Sequence, residues 1–171
     1  MSNLQADAFV LFGATGDLAG RKVFPALQAL VQRGQLDVPV IGVALSGWDL
    51  DKLRGHVYDS LKLHGEVDAK AYAKLSGLMR YVDGDYRDAS TFERLRAPLG
   101  NAKAPLYYLA IPPSMFPTVV SGLAKLGTND GTRVVVEKPF GRDLASAKSL
   151  DRSLRDVFAE SSIFRIDHYL G

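Results

Sequence analysis

The chain predicts an α/β fold, a doubly wound and mostly parallel sheet, from three observations. Short uncharged runs alternate with helical patterns along the whole length. The runs are continuous and bulky, as in strands buried on both faces. The first run, Ala8-Phe9-Val10-Leu11-Phe12, leads straight into Gly13-Ala14-Thr15-Gly16-Asp17-Leu18-Ala19. Strand, glycine turn and helix in that order lay a pyrophosphate on a helix N-terminus.

The elements follow in order. After the turn, Leu18, Val23, Leu27, Leu30 and Val31 fall at helical spacing. Pro25 is tolerated only in a first turn, so a short turn and then a helix from near Pro25 to Gly34 are expected. Pro39 to Ala44 reads as the second buried strand. Residues 49–63 and 68–77 read as helices, the first capped by Asp49 or Asp51. Leu78 to Val82 is a weaker strand, closed by Asp83-Gly84-Asp85, and 89–97 is helical. Leu106 to Ile111 is a fourth strand, stopped by Pro112-Pro113. Met115 to Leu126 is a helix. Arg133 to Glu137 is a fifth strand, ended by Pro139 and Gly141. Leu144 to Phe158 is a strongly periodic helix, and Ser162 to Ile166 a sixth strand. Six strands alternating with helices make a single domain over 1–171 with right-handed crossovers.

In such sheets, ligands bind beyond the carboxyl ends of the strands, where strand order reverses. Ala44-Leu45-Ser46, Pro112-Pro113, Glu137 to Gly141 and Asp167-His168 lie at such ends. Gly13 permits a tight turn, Gly16 lets backbone approach phosphates without a Cβ in the way, and Ala19 is small enough for the helix to sit close to the strand. The spacing is G-x-x-G-x-x-A rather than G-x-G-x-x-G, and a glycine turn with no ligand is the alternative. A P-loop is excluded, because Gly20 is followed by Arg21, Lys22 and Val23, with no hydroxyl for magnesium.

Composition narrows the classes further. The 171 residues are 47% hydrophobic and 23% charged, an ordinary globular balance. A net charge of +2, with no basic stripe interleaved with aromatics, points away from nucleic acid. The absence of cysteine removes disulfides, thiolate catalysis and cysteine-ligated zinc, and no metal site is expected. No run approaches the roughly 18 apolar residues that span a bilayer. Met1 to Asp7 has neither a basic nor an apolar leader region, so the expected compartment is the cytoplasm.

Four strand ends carry recognisable strings: Phe12-Gly13-Ala14-Thr15-Gly16-Asp17-Leu18-Ala19, Tyr108-Leu109-Ala110-Ile111-Pro112-Pro113, Glu137-Lys138-Pro139-Phe140-Gly141 and Phe164-Arg165-Ile166-Asp167-His168-Tyr169-Leu170-Gly171. In this order and spacing they closely resemble the N-terminal coenzyme domain of the glucose-6-phosphate dehydrogenase family, a Rossmann-type dinucleotide-binding domain. The resemblance runs from about residue 8 to the end. It implies oxidation of glucose 6-phosphate to the 6-phosphoglucono-lactone, with hydride transfer to NADP, or to NAD as the alternative. It implies that Gly13, Ala14, Thr15, Gly16, Asp17, Leu18 and Ala19 cradle the coenzyme pyrophosphate. Ala110, Pro112 and Lys138 would lie near the nicotinamide and the sugar, His168 and Tyr169 would grip the sugar phosphate, and Asp167 would orient a histidine general base. Such a base suits loss of the C1 hydroxyl proton at neutral pH, and cations suit a phosphate dianion.

Neighbouring strand residues point to opposite faces, so Asp167 should serve another histidine and His168 the substrate. His56 and His64 fall on a predicted helix in no recognised string and read as surface residues. The general base is therefore not visible. The resemblance implies a second, larger α+β domain carrying it. Since the chain stops at Gly171, an isolated coenzyme domain, inactive by itself, is expected. Surfaces that the second domain would cover, with Met115, Phe116, Tyr169 and Leu170, are expected to drive self-association.

The coenzyme markers are unusual. An NAD-selective domain normally ends its second strand with an acid, and an NADP-using relative would show a cation where Leu45 stands. Val43-Ala44-Leu45-Ser46 has neither. Arg21 and Lys22 could pair with a 2′-phosphate or be solvated surface charge. Ser46 stands at the ribose end, and the balance leans to NADP. Glu137 reads either as an acid catalyst or as a strand-end carboxylate paired with Lys138 or a backbone amide. Trp48 and Tyr86 read as packing. A dinucleotide-binding module without chemistry shares the fold; the string from Arg165 to Gly171 favours the enzyme. A short-chain dehydrogenase lacks its correctly placed tyrosine and lysine.

Overall fold

A computed structural model describes residues 5–127, 131–138 and 140–166. Its strands are β1 (Ala8–Phe12), β2 (Val40–Ala44), β3 (Met79–Asp83), β4 (Pro105–Leu109), β5 (Arg133–Glu137) and β6 (Ile163–Ile166). They form one sheet in the order β3-β2-β1-β4-β5-β6, with every neighbouring pair parallel. The helices are α1 (Phe24–Gln32), α2 (Leu50–His64), α3 (Ala69–Leu78), α4 (Ala89–Leu99), α5 (Phe116–Leu126) and α6 (Leu144–Arg155). The chain works outward from β1 to β3, then returns to lay β4 on the other side of β1. Strand order therefore reverses between β1 and β4.

Both sheet faces are covered, which is why the strands read as unbroken apolar runs. Leu11, Val40 and Met79 pack with Phe24, Leu27, Leu53, Val57 and Leu75 from α1, α2 and α3. Val10, Phe12, Val43, Tyr107 and Val134 pack with Phe92, Val119, Leu123 and Leu154 from α4, α5 and α6. Each fully buried side chain of this size contributes about 1.5–3 kcal/mol relative to an exposed one.

Aspartates cap several of the helices. Asp49, not Asp51, caps α2, its side chain accepting from the Lys52 amide at 2.8 Å. Asp68 caps α3 and Asp143 caps α6, the latter in a reciprocal box with Ser146. Each such cap is worth about 1 kcal/mol.

Some boundaries move. The expected turn before Pro25 is helical: backbone turns begin at Asp17, and a π-helical turn covers Ala19–Val23. The Phe24 amide reaches back to the Ala19 carbonyl, and Pro25 follows at the start of α1. The proline, with no N–H to give, thus sits where the bonding register changes, so it does not break the helix. β4 ends at Leu109 rather than Ile111, and α6 ends at Arg155, although Phe158 still packs into the core. No helix among the described residues is long and apolar enough to cross a membrane.

Gly42 sits in the middle of β2, under the glycine turn. A Cβ there would lie 2.9 Å from Ala14 Cβ and 3.0 Å from Leu53 Cδ2. Gly42→Ala should therefore cost about 1–3 kcal/mol in urea unfolding, the usual range for overpacking. An unchanged midpoint would mean that α2 and the turn can move apart freely.

Candidate functional site

The turn after β1 is held by three strand ends. Gly13 has φ of +82°, in the left-handed region, and a Cβ on it would stand 2.1 Å from the Ala110 carbonyl oxygen. Only glycine satisfies both conditions. The Ala110 amide donates to the Phe12 carbonyl at 3.0 Å, which brings the end of β4 against β1. On the other side, the Gly13 amide donates to the Val43 carbonyl of β2 at 3.0 Å and to the Tyr86 hydroxyl at 2.8 Å. Tyr86 in turn donates to the Val43 carbonyl at 3.0 Å. Its ring lies edge-on to Phe12 (5.6 Å), and burial pushes its hydroxyl pKa up to about 12.

The Gly16 amide closes the turn on the Gly13 carbonyl at 3.0 Å, and helical backbone follows from Asp17. Amides in a first helical turn lack intrahelical acceptors and carry the positive end of the helix dipole. Gly16 and Asp17 are exposed, and Thr15 and Leu18 half-buried. A Cβ on Gly16 would approach only the Gly13 carbonyl, at 3.3 Å. Ala14 and Ala19 are fully buried in the core against α1 and α2. Their side chains pack, so of the Gly13–Ala19 string these two can offer a ligand only backbone.

The other expected positions gather at the same edge of the sheet. Ser46 follows β2; Ala110 and the exposed Pro112 follow β4; the exposed Lys138 follows β5, its amide donating to the Ile166 carbonyl at 3.1 Å. Arg21 pairs with Asp17 at 3.2 Å, both side chains exposed, a contact worth at most about 1 kcal/mol. Lys22 is exposed on the π-helical turn. Asp167, His168 and Tyr169 lie outside the described residues, as do Leu170 and Pro139.

Several expectations change. Glu137 is buried, and its Oε1 accepts from the Tyr108 hydroxyl of the neighbouring strand. Burial, reinforced by that carboxylate, raises the Tyr108 pKa. Phe116 is buried in the core and contributes nothing to an exposed apolar patch. His56 is half-buried rather than a surface residue. Its ring meets Trp48 edge-on at 5.0 Å, its Nε2 is buried with no hydrogen-bond partner among the described residues, and burial lowers its pKa against the opposing charge of Asp59.

Two residues at this edge escaped the sequence reading. Tyr86 reads as packing, and nothing in its local pattern signals its bridge from Gly13 to Val43. From local pattern Asp83 reads only as a strand stop. Its Oδ1 accepts from the Ser46 and Gly47 amides and from the Tyr81 hydroxyl, at 2.9, 3.0 and 2.7 Å. Knowing that β3 pairs beside β2 would have exposed it.

Comparisons with known proteins agree with this geometry. A family profile described as "Glucose-6-phosphate dehydrogenase, NAD binding domain" matches residues 10–171. Glucose-6-phosphate 1-dehydrogenase 1 of Mycobacterium tuberculosis is 40% identical over 166 residues, which is 97% of this chain and 36% of the relative. The chain thus spans just over a third of the length of such relatives. The crystal structure of glucose-6-phosphate 1-dehydrogenase from Mycobacterium avium superposes with a TM-score of 0.89 at 42% identity, covering 96% of this chain and 37% of that one. A glucose-6-phosphate dehydrogenase solved in complex with its substrate glucose-6-phosphate gives 0.85 at 35% identity, covering 99% and 38%.

Tyr86→Phe removes one hydroxyl that joins β1, β2 and the loop after β3. It should lower unfolding free energy by about 1 kcal/mol, the net worth of a typical hydrogen bond, and speed exchange of the Gly13 amide. Wild-type exchange at Gly13 would show that the Val43 carbonyl alone fixes the turn.

Proposed function

This chain belongs to the glucose-6-phosphate dehydrogenase family through its NAD-binding domain, and from that premise we propose that it holds the coenzyme in the oxidation of glucose 6-phosphate to the 6-phosphoglucono-lactone. The bound nicotinamide supplies a hydride acceptor for the hydrogen leaving C1 of the sugar. The coenzyme is NADP, with NAD as the alternative. The observation that carries the reading is the turn from Gly13 to Asp17: no Cβ at 13 or 16, an exposed Gly16, and a helix that starts directly after β1, the strand beside which strand order reverses.

In this proposal the turn from Gly13 to Leu18 seats the pyrophosphate on the helix start, while the Gly13, Ala14 and Gly16 amides hold the turn itself in shape. Ala110 and Pro112 border the nicotinamide. Lys138 stands between nicotinamide and sugar and places a cation there. His168 and Tyr169 grip the sugar phosphate, and Asp167 orients the histidine that takes the C1 hydroxyl proton. That histidine belongs to a second domain of the family, which also carries most of the sugar site. The proposal includes a cytoplasmic setting in the pentose phosphate pathway. It also includes self-association through apolar side chains left exposed, among which Phe164 and Ile166 of the edge strand β6 are 46% and 40% exposed.

Titration calorimetry with NADP and with NAD should show binding of at least one, and silence from both at about millimolar concentration, some 4 kcal/mol of binding free energy, would overturn the reading. Gly16→Val should abolish binding by filling the phosphate position. Because Gly16 is exposed and its backbone does not demand glycine, the variant should keep most of its thermal stability. Undiminished binding by a folded Gly16→Val chain would remove the turn from the site.

A further inference from the structure

The end of β2 lacks the acid that normally reads an adenosine ribose, yet a carboxylate stands beside it. Parallel pairing sets Ala44, the last residue of β2, opposite Asp83, the last residue of β3. The Asp83 side chain turns into the loop between β2 and α2. Its Oδ1 accepts from the Ser46 amide at 2.9 Å, the Gly47 amide at 3.0 Å and the Tyr81 hydroxyl at 2.7 Å. Ser46 Oγ and the Tyr81 hydroxyl are also bonded to each other, at 2.6 Å. Every donor falls on Oδ1, while Oδ2 accepts from no described residue and the residue is half-buried. Burial opposes ionisation here, but the bonds from Ser46, Tyr81 and Gly47 outweigh it and lower the pKa. At neutral pH the group is an anion.

Two consequences concern a dinucleotide lying along this edge. Backbone amides and a hydroxyl in the loop after the second strand are the groups that can hold a 2′-phosphate. In this chain the amides are already satisfied by an internal carboxylate, and the hydroxyl is bonded to Tyr81. The loop from Leu45 to Asp49 also contains no lysine or arginine, and Leu45 is 64% exposed with nothing to offer an anion. A 2′-phosphate dianion entering here meets a fixed like charge. A ribose hydroxyl meets a free acceptor.

We propose that Asp83 sets the coenzyme selectivity of this chain, its Oδ2 accepting from an adenosine-ribose hydroxyl of NAD and its charge weighing against the 2′-phosphate of NADP. The acid expected on β2 is supplied instead by the neighbouring strand. The inference rests on the coenzyme-binding reading above and refines it: NAD is taken alongside NADP, in a ratio that Asp83 controls. If Asp83 merely ties down the loop, its loss weakens both coenzymes together and leaves the ratio alone.

Binding of NAD and NADP is measured by calorimetry on the 171-residue chain and on Asp83→Asn. Asparagine keeps an oxygen for the two amides and removes the charge. The ratio of the two dissociation constants should shift toward NADP by about tenfold or more, the scale of one charge-assisted contact. A ratio that stays put or moves toward NAD overturns the role of Asp83. If the unmodified chain binds neither coenzyme, the coenzyme-binding reading falls and this inference with it. A second measurement needs no variant. Added salt screens repulsion between exposed charges, so raising ionic strength should move the ratio in the native chain toward NADP. Movement toward NAD would show that the 2′-phosphate is attracted here, and would overturn the proposal even if Asp83→Asn fails to fold.

Discussion

The approach of the Ala110 carbonyl to Gly13 is the constraint on which the rest of this edge depends. A Cβ on residue 13 would lie 2.1 Å from that oxygen, far inside contact distance. Any side chain would drive the end of β4 away from β1. The glycine also takes the left-handed conformation that turns the chain off the strand. With both conditions met, the Gly13 amide faces Val43 and Tyr86, and the Gly16 amide can close the turn. The helix then starts at Asp17, directly after the turn. Gly42 completes the stack by leaving room for Ala14. One missing Cβ thus ties three strands to the start of one helix.

The electrostatics of the edge divide it in two. Near β1 the helix start, with the positive end of its dipole, favours an anion. Near β3 the carboxylate of Asp83 absorbs the amides of the β2–α2 loop and favours a hydrogen-bond donor. A dinucleotide has this same division, with a charged pyrophosphate in its middle and ribose hydroxyls beside it. On the far side, the buried Glu137 is engaged by Tyr108, so the carboxylate at the end of β5 is tied to its neighbouring strand.

What was legible in the sequence was the information carried by local pattern. The strands show as apolar runs because both faces are buried, and the cap at Asp49 shows because a carboxylate before a helix has one common use. The glycine turn shows because its spacing and its place after a strand are distinctive. Legibility fails where a role comes from contacts between strands. Asp83 looks like a strand stop until β3 is known to lie beside β2. Tyr86 looks like packing until its hydroxyl is found between Gly13 and Val43. Phe116 follows Pro112-Pro113-Ser114-Met115 and reads as exposed, yet it opens α5 with its ring in the core. The π-helical turn before Pro25 also leaves no mark, because helical spacing is the same on either side of it.

The central claim is that the turn from Gly13 to Asp17 is a preformed anion cradle, built before any ligand arrives. Backbone amide spectra of the isotope-labelled chain, recorded during titration with NAD or NADP, test it most directly. The account predicts large shifts at Gly13, Thr15, Gly16, Asp17 and Leu18, with the Gly13 amide protected from exchange both before and after binding. Shifts confined to α6 and β6, or a Gly13 amide that becomes protected only when coenzyme is added, would contradict it.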